Sequence, residues 1–192
     1  MNKLNTLVFG SLFQAALFAG PQNTALAGGA PQAETSRSQA LTESIQAHGG
    51  LDTWRSYARM DYATTDFPLG ANAPFDFTQT TDLNNRRHLT RGENFTSGKN
   101  EQAAWALPNT EALGIPPAFF ESGNFYFIAM PFVFADPGVI TRDLEPLEFQ
   151  GKSYDRVAVS YPAGIGDTPE DDYILYIESE SRRLKMIDFV PT

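Results

Sequence analysis

The sequence predicts an α+β fold: a curved antiparallel sheet forming an open half-barrel, with N-terminal helices and a mid-chain helix over its concave face. Three observations predict it. Leu41, Ser44, Ile45 and His48 recur at helical spacing, whereas from Arg59 onward apolar and polar residues alternate with period two. The strand candidates follow one another, with short reversals between the later ones and the mid-chain stretch as the exception, and without long helical crossovers a parallel sheet is disfavoured. A single aromatic-rich stretch, Ala118 to Phe134, stands between the breakers Pro116-Pro117 and Asp136-Pro137-Gly138.

Taken in order, residues 1–27 read as a secretory signal peptide. Lys3 gives a positive start, Leu7 to Gly20 an apolar tract, and Ala25-Leu26-Ala27 the small residues at which cleavage is expected. Gly28 stands where a lipoprotein would carry Cys, so a soluble mature product is expected. Residues 28–35 read as a mobile lead and residues 36–192 as one domain. Ser36-Arg37-Ser38-Gln39 has the spacing of a capping box, and Gly49-Gly50 closes the helix that follows. Leu51, Trp54 and Tyr57 or Ala58 extend a second, shorter helix. Strands are expected near 59–67, 75–83, 86–91, 103–107, 143–149, 154–161, 172–178 and 184–190, with Gln150-Gly151 and Glu180-Ser181 as reversals. Over Ala118 to Phe134, residues Phe119, Phe120, Gly123, Tyr126, Phe127 and Met130 share one helical face, and Pro131 stops or kinks the helix.

Composition removes several function classes. The 192 residues carry 23 acidic and 14 basic side chains, a net charge of −9. That balance repels phosphate backbones, and no basic patch offsets it, so no nucleic-acid partner is expected. Without Cys there is no disulfide, thiolate metal site or thiol nucleophile. Glu121, Ser122, Asn124 and Pro131 exclude a membrane span through the aromatic stretch, and no transmembrane anchor is expected.

Few residues point to chemistry. His48 and His88 are the two histidines. His48 falls at a helix C-terminus, where an imidazolium meets the negative end of the dipole and the ring packs beside Ile45. His88 follows Arg86-Arg87 in a strand, where a solvated or cross-strand pairing role is expected. Their spacing is not that of a helical zinc motif. Gly166-Asp167-Thr168-Pro169-Glu170-Asp171-Asp172 reads as a solvated hairpin, with calcium as the alternative, though it lacks the alternating acids and distal glutamate of an EF-type loop. Neither a metal nor a cofactor is implied. A hydrolase or isomerase using His48 with Asp52 or Asp172 is one alternative, and an envelope scaffold with a solid core is another.

The aromatic content stands out, with 15 Phe, 7 Tyr and 2 Trp. A curved sheet roofed by a bulky aromatic helix often leaves an apolar cavity able to take a lipid tail, with solid packing of the same residues as the alternative. Phe77, Trp105, Phe125, Phe127, Met130 and Phe132 are its expected lining, and Trp54 is expected to pack the first helices onto the sheet. Several short patterns add a resemblance. They are His48-Gly49-Gly50 with Trp54, Trp105-Ala106-Leu107-Pro108, Tyr126-Phe127, Pro131-Phe132, Asp136-Pro137-Gly138, Gly151 with Tyr154, Val157 and Val159, Gly166-Asp167-Thr168-Pro169, Asp172-Tyr173 and Leu175-Tyr176-Ile177. In this order they resemble an uncharacterised family of exported bacterial proteins, a domain of unknown function. Members often carry a Gly and Asp pair before the tryptophan, where this chain has Asn100 to Ala104. The family resembles in architecture the periplasmic lipoprotein-localisation (Lol) carriers. That resemblance implies a half-barrel binding acyl chains or lipoproteins, with a hydrophobic small molecule or lipid as ligand and a lipoprotein or envelope protein as a further partner. It carries over no catalytic residue.

Overall fold

The computed structural model describes residues 5–8, 15–19, 37–67, 74–162 and 172–190, the first two stretches by backbone alone. Most of the expected leader, the lead 28–35 and the acidic turn up to Asp171 lie outside the described residues. The described residues fall into two compact units. One holds 37–54 and 129–190 with the strand 5–8; the other holds 55–128 with the strand 15–19. The chain is α+β with antiparallel pairing throughout, its strands shared between two sheets.

The first unit carries β1 (Asn5–Val8), β8 (Ile140–Phe149), β9 (Lys152–Ser160), β10 (Asp172–Glu178) and β11 (Leu184–Val190), in the sheet order β1-β11-β10-β9-β8. Gln150 and Gly151 both have positive φ, 51° and 75°, the pairing a two-residue turn needs to match the strand twist between β8 and β9. Helix α1 (Gln39–Ala47) lays Leu41 and Ile45 against β9 and β10, and Val157, Leu175, Ile177 and Ile187 are buried in the same unit. Its N-cap is Ser38, two residues beyond the serine that the capping-box spacing singles out. The Ser38 Oγ accepts the Leu41 N–H at 3.2 Å while its hydroxyl donates to Asp143, and its backbone N–H donates to Thr141 Oγ1 at 2.8 Å. Tertiary partners on β8 therefore select this serine.

Gly49 and Gly50 end α1 with φ of 111° and 88°, a conformation costly for any residue with a Cβ. The short α2 (Leu51–Ser56) follows, and its Trp54 stacks on Phe132 at 4.6 Å with the ring planes 2° apart. Phe132 opens a 3-10 turn, Phe132–Ala135, whose Val133 and Phe134 are fully buried. The aromatic stretch is thus two pieces, a helix and a separate tight turn, because Pro131 cannot donate to a continuing helix.

The second unit is a six-stranded meander in the order β2 (Ala15–Ala19), β3 (Tyr57–Phe67), β4 (Phe75–Asp82), β5 (Arg87–Gly92), β6 (Thr96–Lys99) and β7 (Ala104–Leu107). Asn100 closes the β6–β7 turn, its side-chain oxygen accepting the N–H groups of Gln102 and Ala103 at 2.9 Å each. That fixes the register at Gly98 opposite Trp105. Helix α3 (Pro117–Ile128) packs across β5, β6 and β7.

Replacing Ser38 by Ala removes the α1 cap and strands the Asp143 carboxylate. The expected loss is about 1–2 kcal/mol, read as a lower urea midpoint at unchanged slope.

Candidate functional site

Strand register assembles the site. Tyr62, Gln79, Thr90 and Ser97 are direct neighbours across β3, β4, β5 and β6, so their side chains form one transverse row. Met60, Thr81, His88 and Lys99 form the next row two residues away, and alternation puts them on the same face. On the other side of the polar row comes Phe77, also on that face. Seven of these side chains, Met60, Tyr62, Phe77, Gln79, Thr81, Thr90 and Ser97, are no more than 4% exposed. This is an interior floor built largely of polar groups.

Helix α3 seats one carboxyl on it. Glu121, fully buried, accepts hydrogen bonds from Gln79 Nε2 at 2.8 Å and Thr90 Oγ1 at 2.9 Å on its Oε2, and from the Ser97 hydroxyl on its Oε1. Gln79 Nε2 also donates to Thr90 Oγ1 at 2.9 Å, and Gln79 Oε1 accepts the Tyr62 hydroxyl. The direction of donation is therefore defined from Tyr62 through Gln79 to Glu121. Burial pushes the Glu121 carboxyl above its ordinary range, and the bonds from Ser97, Thr90 and Gln79 offset part of that rise. Burial, then the Glu121 charge, pushes the Tyr62 phenol well above its usual value. No cation is hydrogen-bonded to Glu121 among the described residues. Its charge is met by neutral donors, an arrangement much costlier to break than to form.

The second row brings in bases. His88 is buried, its Nδ1 3.0 Å from Thr81 Oγ1 and its ring 5.2 Å from that of Phe125. The expectation of a solvated His88 is corrected: it has the parity of Thr90, so it faces the helix-covered side. Cross-strand pairing does hold, with Thr81 as neighbour. The Arg86 guanidinium lies 5.2 Å over the Phe125 ring, and Lys99 donates to Ser122 Oγ at 2.6 Å. Beyond the polar row, Phe67, Phe75, Phe77, Phe95 and Phe120 form a continuous cluster with centroids 5.4–6.2 Å apart, mostly edge to face.

The expected lining residues divide. Phe77 and Phe125 are buried in the second unit, and Phe127 is half-buried on α3. Trp105 shares β7 parity with the exposed Leu107, not with the buried Ala106, and its indole lies over Gly98 on the face away from Ser97 and α3. A Cβ on Gly98 would come within 2.7 Å of that ring. Met130 and Phe132 belong to the first unit. On α3 itself Pro117, Phe120, Glu121 and Phe125 face inward while Phe119 is 54% exposed, so the buried stripe is rotated from the one read in the sequence. Glu121 decides the rotation, because its three donors lie on the sheet.

His48 sits at the C-cap of α1, where Nδ1 donates to the Ser44 carbonyl at 2.8 Å. Burial lowers its pKa below 6.5, and the charges of Arg183 and Lys185 act the same way against that hydrogen bond. Neither Asp52 nor Asp172 is hydrogen-bonded to it, and no cluster of metal-binding side chains occurs among the described residues. No helix among those residues is long and apolar enough to cross a membrane.

No protein-family model matches this chain, and no curated protein matches it in sequence. The residues that make the site are Glu121, Gln79, Thr90, Ser97 and Tyr62, and reasoning from the sequence passed over them. A signal was present, since Gln79 has the same strand parity as Phe77.

Gln79→Ala leaves both Tyr62 and Glu121 short of a partner and should cost about 2–4 kcal/mol in denaturant unfolding. For His48 the depressed folded pKa sets the sign: its stabilisation is present above pH 6.5 and lost as pH falls through the folded value. A ring-proton NMR titration should place its midpoint below 6.5.

Proposed function

We propose that this protein is an exported, soluble binding protein for a hydrophobic ligand (a lipid, an acyl chain or a lipoprotein) acting as carrier or sensor in the periplasm or outside the cell. In this reading the leader is cleaved after Ala27, and strands β3 to β7 with α3 across them form a half-barrel like that of the Lol-type carriers, the architecture implied by the exported family whose motif order from His48 to Ile177 this chain resembles. One observation carries the reading. Helix α3 is apolar beyond its buried stripe: Phe120 and Phe125 face the sheet, Phe119 is 54% exposed, and Tyr126, Phe127 and Ile128 are half-buried. A helix with apolar side chains on more than one face is suited to contact with a greasy partner on more than one side. The five-ring cluster beside it supplies a surface on which an acyl chain can lie once α3 shifts.

Protein purified after export should release lipid on extraction and take up a fluorescent fatty acid saturably, and Phe120→Ala should weaken that uptake. No bound lipid together with no saturable uptake would sink the reading. A scaffold is favoured by a different observation, the exposed Trp105 and Leu107 on the β7 face away from α3. A double Trp105→Ser, Leu107→Ser variant that loses an envelope-protein partner while keeping fatty-acid uptake would assign that face to the partner.

A further inference from the structure

We infer that the docking of α3 on the six-stranded sheet is proton-linked through Glu121: the helix is held tightest when this carboxyl is neutral and loosens as it ionises. The inference concerns regulation of the site on which the ligand reading rests, but the docking itself stands without any ligand. The geometry carries it. Glu121 is the acidic residue of α3 that reaches the floor, and it joins the helix to β4, β5 and β6 at once through Gln79, Thr90 and Ser97.

The network accommodates both protonation states with one reversal. Oε2 accepts from Gln79 Nε2, which can only donate, and from Thr90, whose hydroxyl already accepts from the same Nε2. A proton on the carboxyl can sit on Oε1, facing Ser97, whose hydroxyl accepts as readily as it donates. Neutral Glu121 thus keeps every bond and carries no buried charge. Ionised Glu121 keeps the bonds but places a full charge in an enclosed site with neutral donors alone, which favours release of the helix into water.

The other charged and titratable groups beside Glu121 on the α3 side are Tyr62 on β3, His88 on β5, Lys99 on β6, Arg86 just before β5 and Glu111 on the preceding 3-10 turn; Arg87 and Arg91 of β5 have the opposite strand parity, and β7 has no charged residue. Lys99 is engaged with Ser122, Arg86 with the Phe125 ring and His88 with Thr81. The sign follows from the raised folded value. The stabilisation is complete below 4.5, the ordinary value, and is lost as pH rises through the folded one.

The test combines carboxyl-carbon NMR of Glu121 with hydrogen-exchange protection of α3 amides across the same pH range. The expected midpoint lies above 4.5, and protection should fall about tenfold for each pH unit of that elevation. Glu121→Gln, which keeps an acceptor for Gln79 and a donor for Ser97, should make α3 protection independent of pH. A Glu121 midpoint at or below 4.5 overturns the inference, as does flat α3 protection in the unmodified protein. A pH dependence that survives in Glu121→Gln also overturns it. Should that variant fail to fold, the titration and exchange of the unmodified protein decide alone. A carrier reading that fails shows instead as absent fatty-acid uptake at every pH, whatever α3 does.

Discussion

A carboxyl group removed from water is the constraint around which the second unit is arranged. Glu121 enters a space where its charge is met by an amide and two hydroxyls, and each of those donors comes from a different strand. Burying such a group without partners costs several kcal/mol, so the partners must be in place together. That requirement explains why Tyr62, Gln79, Thr90 and Ser97 occupy one row, why α3 turns Phe119 outward, and why Gln79 is oriented by Tyr62. The apolar contacts of Phe120 with four phenylalanines supply adhesion. The carboxyl supplies the register.

The face under α3 is accordingly zoned. An aromatic cluster lies at one end, a row of hydrogen-bonding groups crosses the middle, and His88, Lys99 and Arg86 lie beyond it beside Phe125 and Ser122. Such zoning is compatible with an amphiphile, whose tail and head need different surroundings, and it is an expensive way to fill a core that needs only to be solid. The first unit follows the plainer rule: a helix with Leu41 and Ile45 covers a sheet whose inner positions are Val157, Leu175, Ile177 and Ile187, while Arg182 joins α1 and β9 by bridging Glu43 and Asp155.

Much of the secondary structure was legible. The strands at 75–82, 172–178 and 184–190 announce themselves by alternation and β-branched or aromatic content, and Gly49-Gly50 ends α1 for a backbone reason that operates locally. Thr96–Lys99 was not legible as a strand, because Thr-Ser-Gly-Lys carries no apolar residue and its inward Ser97 is recognised only through Glu121 on a distant helix. The apolar face of α3 was misread because apolar residues on both sides of Glu121-Ser122-Gly123-Asn124 fall on several faces, so hydrophobicity alone does not choose a direction. Trp105 was expected in the cavity lining, yet strand parity and the space above Gly98 put it on the other face.

By itself the sequence determined, after residue 38 and apart from Thr96–Lys99, where most helices and strands fall and that the strands pair antiparallel, because these depend largely on neighbours a few residues apart, and its composition set the excluded classes. Only the tertiary structure decided where the polar groups meet. Tyr62, Gln79, Thr90, Ser97 and Glu121 are as much as 59 positions apart, and each alone has the appearance of an ordinary surface residue. Their meaning lies in strand register and helix rotation, which are set by long-range packing and by the free-energy cost of leaving a buried carboxyl unpaired.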